Sequence, residues 1–211
     1  MVSAAKYRIA KELDVPAKMR DGTTLFADIY RPDSEGKFPV LLLRLPYGKQ
    51  FISDFGDHEF FVPRGYIVVI QDTRGRFSSE GDFTPLFDEP LDGYDTVEWA
   101  AKLPWSNGKV GTIGQSYLGA TQYLTSWTAP PSLRCQVPVS AAADFHSGWV
   151  YDVGGALVHG WMIPYAIFLA RDTIERLGLK EELWPKVRPY LDRSINFANP
   201  LTAEAYRRLL V

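Results

Sequence analysis

The sequence has one cysteine, Cys135, in 211 residues, which excludes an intrachain disulfide and any metal cluster built on thiolates. Histidine is nearly as scarce. His58, His146 and His159 stand far apart and form no HExxH pair, so a zinc-protease helix is excluded and no metal site is expected. There is no basic excess: 23 Lys and Arg stand against 25 Asp and Glu, a net charge of −2 that argues against a dedicated nucleic-acid binder. Long apolar runs are missing too. The longest lie around Val40–Leu43 and Ile67–Ile70, far short of the ~20 residues that a membrane-spanning helix requires. The opening MVSAAKYRIAKELDV is charged and has no apolar core of a signal peptide. A soluble, cytoplasmic protein with neither nucleic-acid nor membrane partner is the expectation. What is present is a globular composition, 46% hydrophobic and 23% charged, which excludes wholesale disorder.

The first part of the chain reads as strands joined by turns and then by helices. Asp21-Gly22 separates YRIAKELDVPAKM from TTLFADIYRP, in which Leu25, Ala27 and Ile29 alternate with more polar neighbours; a half-exposed hairpin closed by Pro32 is predicted. Pro39–Leu45 and Gly65–Asp72 are continuous apolar runs of the kind covered on both faces. Ile52–Arg64, between them, is long enough for a crossover helix, so the two strands are expected to be parallel. Asp88–Leu103 carries Leu91, Tyr94, Val97 and Ala101 at helical spacing, with Asp92 available as a cap and Pro104 as a stop. Lys109–Ile113 reads as a short strand, Tyr117–Thr128 as a helix halted by Pro130-Pro131, and Arg134–Ser140 as a further strand. After Asp144 helices take over. Pro164–Leu177 has Pro164 at its first position and Ile167, Ala170, Ile174 and Leu177 as its apolar stripe. Glu181–Leu191 follows, and a third helix from Asn199-Pro200 to Val211. This change of grammar sets the domain boundary at 1–143 against 144–211.

The segment with chemistry in it is Val110-Gly-Thr-Ile-Gly114-Gln-Ser116-Tyr-Leu-Gly119. A strand that turns sharply into a helix with a serine at the turn is the arrangement of a nucleophile elbow. The turn projects the hydroxyl above the sheet, small residues let strand and helix approach, and the helix N-terminus faces the point where an oxyanion forms. The Tyr117 N–H would be one donor. The common pattern has its second glycine two residues after the serine; here that place is Leu118, and the glycine is Gly119. The alternative is a buried strand–helix turn with a packing glycine and a serine cap. Lys109–Ile113 is the fifth strand in order, and in the α/β-hydrolase fold the nucleophile follows strand five while a second oxyanion donor follows strand three. The loop after strand three is Pro46-Tyr47-Gly48-Lys49, where Tyr47 offers either a phenolic donor or a packed aromatic. Gly108, Gly111 and Gly114 fit neither GxGxxG nor a phosphate loop.

With Met19-Arg-Asp-Gly22-Thr, Ala27-Asp-Ile-Tyr-Arg-Pro32, Pro39–Tyr47, Val69-Ile-Gln-Asp-Thr-Arg-Gly75, Ser79-Glu-Gly81, Gly114–Gly119, Ala143-Asp144 and Gly154-Gly-Ala-Leu157 in this order, the chain resembles the N-terminal part of the cocaine-esterase-like (CocE/NonD) hydrolases, relatives of X-Pro dipeptidyl-peptidases and α-amino-acid ester hydrolases. In that family the glycine does sit three after the serine. The resemblance implies an α/β architecture: a partial α/β-hydrolase fold, mostly parallel with an N-terminal antiparallel hairpin, followed by the start of a helical cap. It implies Ser116 as nucleophile, with the Tyr47 hydroxyl and Tyr117 N–H as oxyanion hole. It implies hydrolysis of small acyl esters, or of amides and X-Pro peptides, without a cofactor. Asp72, Arg74 and Gly75 match a family block with no catalytic assignment, and an Asp72–Arg74 ion pair at the rim is expected. Trp149 either lines the acyl pocket or packs as an ordinary core tryptophan.

A serine needs a histidine to take its proton and a carboxylate to orient that histidine. In the family resembled both come after the cap, which places them beyond residue 211. A local order of Ser116, Asp144, His159 is formally available, but no strand after Ser140 would bring a histidine back over the serine. His146 is expected to cap or pack near the boundary, His159 to belong to the cap interior, and His58 to lie on a solvated helix face. The competing expectation is therefore a catalytically incomplete fragment or interaction module with an open sheet edge. Such an edge would be covered in a homo-oligomer or by a complementing C-terminal segment.

Overall fold

The hairpin forms where the Asp-Gly turn requires it. Ile9–Lys18 (β1) and Thr24–Pro32 (β2) pair antiparallel, with a bulge between Glu12 and Val15. In this computed structural model, which describes residues 3–53, 57–147, 149–152 and 154–194, the hairpin is not half-exposed throughout. Leu25, Ala27, Asp28, Ile29 and Tyr30 are all buried, because β2 also pairs with Ile67–Asp72 (β4) on its other side and is covered on both faces.

The two apolar runs form the parallel pair that was expected. Phe38–Leu45 (β3) lies parallel to β4, with Leu45 opposite Asp72. Ser106–Gln115 (β5) is parallel to β3, and Leu133–Val139 (β6) is parallel to β5. The six strands run in the order β1-β2-β4-β3-β5-β6. Strand alternation then divides the core. Ala27, Ile29, Val40, Leu42, Ile67, Val69 and Val110 form one cluster with Val97 and Ala100. Tyr30, Leu43, Leu45, Val68 and Ile70 form another with Val62 and Leu118. Both faces of β3 and β4 are thus apolar, which is why their sequence shows no period of two. β6 is an edge strand in this sheet, with Val137 and Val139 exposed; an edge tolerates Pro138.

The crossover is not a single helix. It consists of Lys49–Ser53 (α1), Asp57–Phe61 (α2) and a 3-10 turn over Val62–Arg64, because Pro63 favours the start of a helical turn and Gly65, at φ 89°, ends it. His58 is correspondingly not on a solvated face: its ring stacks on Tyr30 at 4.1 Å.

Glu89–Ala101 (α3) also departs from the expected pattern. Its buried side is Glu89, Asp92, Gly93, Thr96, Val97 and Ala100, while Leu91 is 51% exposed. Asp92 does not cap the helix. Its carboxylate accepts from Arg74 Nε at 2.9 Å and Nη2 at 2.6 Å, and Arg74 reaches Asp21 at 2.8 Å, strapping the hairpin turn to α3. The expected Asp72–Arg74 pair is accordingly absent; each residue has another partner.

The chain divides into two compact units, Met1–Ala143 and Asp144–Val211. In the second, His159–Arg176 (α5) and Lys180–Ser194 (α6) pack together across a turn at Gly178. α5 begins before Pro164, so that proline lies inside the helix. Tyr165, Leu169 and Ile174 are buried while Leu177 is 62% exposed, a stripe rotated from the expected one. The helix expected from Asn199 lies outside the described residues.

Candidate active site

Ser116 sits between β5 and Tyr117–Trp127 (α4) with φ 59° and ψ −121°. A non-glycine residue in this region costs on the order of 1–3 kcal/mol and persists only where its surroundings impose it. Here they do. The Ser116 N–H donates to the Val139 carbonyl at 2.9 Å, and its own carbonyl accepts from Gly119 and Ala120 N–H at 2.9 and 3.0 Å. The small residues have their reason as well. A Cβ on Gly114 would collide with Leu118, and one on Gly119 would stand 2.5 Å from the Ala141 methyl. Ser116 occupies the N-cap position, yet its side chain makes no cap hydrogen bond. The serine-cap alternative therefore fails. The Tyr117 N–H, first in the helix, has no intrahelical acceptor, and the positive end of the α4 dipole faces the same point.

The Tyr117 side chain has a different task. It is buried, its hydroxyl donates to Glu89 Oε1 at 3.1 Å and accepts from the Leu86 N–H at 3.0 Å. Glu89 also receives Arg44 Nη1 at 2.6 Å, and Arg44 Nε donates to Gln71 at 2.8 Å. Burial raises the Glu89 carboxyl pKa against the pull of Arg44. Burial, with the Glu89 charge beside it, holds the Tyr117 phenol well above its ordinary value. The phenol stays protonated and anchors α4 to α3, and the sequence reading missed this anchor. Its one signal was Arg44 inside an otherwise apolar strand, since a buried guanidinium demands a partner.

Tyr47 follows β3, and its ring meets Tyr117 edge-on at 6.2 Å between centroids and Phe51 at 6.1 Å. A cleft of about 280 Å³ opens beside it, lined also by Leu13, Lys49, Phe51, Asp72 and Phe77. The structure thus brings the Tyr47 ring against that of Tyr117, the residue after Ser116; Tyr47 lines this cleft, and Ser116 does not. Asp144, His146, Trp149 and His159 belong to the second unit. Asp144 is exposed, and its Oδ1 accepts the Ser147 and His146 N–H groups at 3.1 and 2.9 Å, which lowers its pKa. The His146 ring stacks on Tyr151, Trp149 packs on Phe145 at 5.4 Å, and His159 opens α5. Among the described residues no cluster of His, Cys, Asp and Glu could hold a metal ion, and no helix is long and apolar enough to cross a membrane.

A mostly parallel sheet with a strained strand–serine–helix junction defines the class: an α/β protein of the hydrolase type. Within that class the chain belongs to the X-Pro dipeptidyl-peptidase (S15) family, which it matches over residues 21–189. It is 43% identical over 155 residues to cocaine esterase from Rhodococcus sp. (strain MB1 Bresler), covering 72% of this chain and 27% of that protein. Among solved structures it is similar to a CocE/NonD family hydrolase from Staphylococcus aureus, with TM-score 0.72 and 32% identity over 78% of this chain and 34% of that one. An α-amino acid ester hydrolase matches with TM-score 0.60 and 34% identity over 70% of this chain and 28% of its own. The chain thus spans 27% of the cocaine esterase and 34% of the staphylococcal hydrolase.

Proposed function

We propose that this chain is the nucleophile-bearing part of a serine hydrolase acting on small acyl esters, with amides or X-Pro peptides as the extended substrate range. In this reading Ser116 Oγ attacks the acyl carbonyl carbon while a histidine base takes its proton. The carbonyl oxygen becomes an oxyanion that accepts hydrogen bonds from the Tyr117 N–H and the Tyr47 hydroxyl. The leaving group departs with the proton, and water then releases the acid from the acyl-serine by the same steps. The histidine and its carboxylate are assigned, on the family resemblance, to the stretch of the relatives that this chain does not span.

The supporting observation is the backbone of Ser116, φ 59° and ψ −121°, on a serine that spends no side-chain bond on capping its helix. Strain of this kind is kept where a side chain must project from a fixed point. The test, run on protein that includes the stretch assigned to the histidine and carboxylate, is hydrolysis of p-nitrophenyl acetate by the wild type and Ser116→Ala. Turnover that vanishes in the variant supports the reading; equal turnover in both rejects it.

A further inference from the structure

The block Asp72-Thr73-Arg74-Gly75-Arg76 has no part in the chemistry above, yet Asp72 and Arg76 are 1% and 2% exposed. Both reach the turn after β3. Asp72 Oδ1 accepts the Lys49 backbone N–H at 2.8 Å, and Oδ2 accepts Lys49 Nζ at 3.0 Å. Arg76 Nε donates to the Pro46 carbonyl at 2.9 Å. The Thr73 N–H donates to the Leu45 carbonyl at 3.0 Å, joining the two chains where β3 and β4 end. Tyr47 and Gly48 are the residues left between these grips. We infer that Asp72 and Arg76 are positioning residues that clamp the Pro46–Lys49 turn from both ends and so fix the Tyr47 hydroxyl over Ser116. This rests on the oxyanion role proposed for Tyr47.

Two further observations agree. Lys49 Nζ also donates to Asp14 Oδ1 at 2.9 Å and Ser78 Oγ at 3.3 Å, with Asp28 Oδ1 at 4.0 Å. One buried ammonium therefore ties the turn to β1 and to the loop after β4, as well as to Asp72. The clamp also keeps a charge where a neutral residue would be easier to bury: burial pushes the Asp72 carboxyl up to about 6 despite Lys49 beside it. Displacement of a catalytic group by about 1 Å can cost about a hundredfold in rate, which sets the expected effect.

The experiment, on protein that includes the stretch assigned to the histidine and carboxylate, measures kcat and KM for p-nitrophenyl acetate in the wild type, Tyr47→Phe, Asp72→Ala, Asp72→Asn and Arg76→Ala, the last three also paired with Tyr47→Phe. Ser116→Ala is the control, and amide hydrogen exchange of Lys49 is followed in every variant. Asp72→Ala and Arg76→Ala are expected to lower kcat by about ten- to a hundredfold with little change in KM. They should add nothing in the Tyr47→Phe background. Asp72→Asn, which keeps an acceptor for the Lys49 N–H but loses the one for Lys49 Nζ, should fall between Asp72→Ala and the wild type. Lys49 exchange should quicken in Asp72→Ala while β4 core amides stay protected. Undiminished kcat, or losses that multiply with that of Tyr47→Phe, overturn the proposal, as does unchanged Lys49 exchange. If Ser116→Ala retains full turnover, the catalytic reading fails. Quickened Lys49 exchange would in that case still support a clamp on the turn, without its catalytic purpose.

Discussion

Tyr117, which follows Ser116, and Tyr47, whose ring meets that of Tyr117, should respond to loss of their hydroxyls in opposite ways. Tyr117 is 1% exposed, and its phenol holds two partners, the Leu86 N–H at 3.0 Å and Glu89 at 3.1 Å. Tyr117→Phe leaves a backbone donor and a buried carboxylate each short of one bond. An unsatisfied buried group costs about 1–3 kcal/mol, and bonds to charged groups stand at the upper end, so a destabilisation of about 2–4 kcal/mol is expected. The backbone N–H is untouched by the change, so the folded variant should keep most of its kcat. Tyr47 is half-buried, and the loss expected in Tyr47→Phe is one of rate. Loss of an oxyanion donor costs about 3–4 kcal/mol of transition-state stabilisation, a fall in kcat of a hundredfold or more. Urea unfolding gives the first quantity, from the midpoint at constant slope; steady-state hydrolysis of p-nitrophenyl acetate gives the second. A Tyr117→Phe variant as stable as the wild type would refute the anchoring role of its phenol. A Tyr47→Phe variant with full kcat would refute the hole.

Asp72 should make stability depend on pH in an unusual direction. Its carboxyl is pushed up to about 6 from 3.8 by burial, so the fold favours the protonated form. Its contribution is complete below the unfolded value and is lost as pH rises through the folded one, a change of about 3 kcal/mol. The stability of the wild type relative to Asp72→Asn should therefore be greater at pH 4 than at pH 7; the reverse order would mean that the Lys49 ion pair outweighs burial. Gly119→Val should destabilise by about 1–3 kcal/mol through overpacking, because a Cβ there already meets Ala141 at 2.5 Å; a neutral result in thermal unfolding would contradict the close strand–helix approach. Asp144→Asn and His159→Gln should leave the rate of fluorophosphonate labelling at Ser116 unchanged, and a collapse of labelling in both would establish a local triad.

Much of the sheet was legible because period and turn chemistry are local properties. The Asp21-Gly22 hairpin, the continuous runs of β3 and β4, and the turn from β5 through Gly114-Gln-Ser116 can all be read from neighbours in the chain. The failures concern polar residues that become buried by pairing across the fold. The buried face of α3 departs from its apolar spacing because Glu89 and Asp92 face inward, an arrangement tolerable only beside Arg44 and Arg74, which lie far away in sequence. Asp72 was given the wrong partner for the same reason: adjacency suggested Arg74, whereas register carried Lys49 to it from the end of β3. In the second unit, Pro164 suggests the start of a helix because proline favours a first turn, whereas α5 begins at His159. For the site, the serine and both tyrosines could be nominated from motif and strand order. The groups that hold those tyrosines in place could not.

The most direct measurement is mass-spectrometric mapping of the adduct formed when the protein, with the stretch assigned to the histidine and carboxylate present, is treated with a fluorophosphonate under conditions where it hydrolyses p-nitrophenyl acetate. A single phosphonylated residue at Ser116, appearing in step with the loss of activity, is the expected result. Full inactivation with the adduct on any other residue, or hydrolysis that survives complete modification of Ser116, would contradict the account.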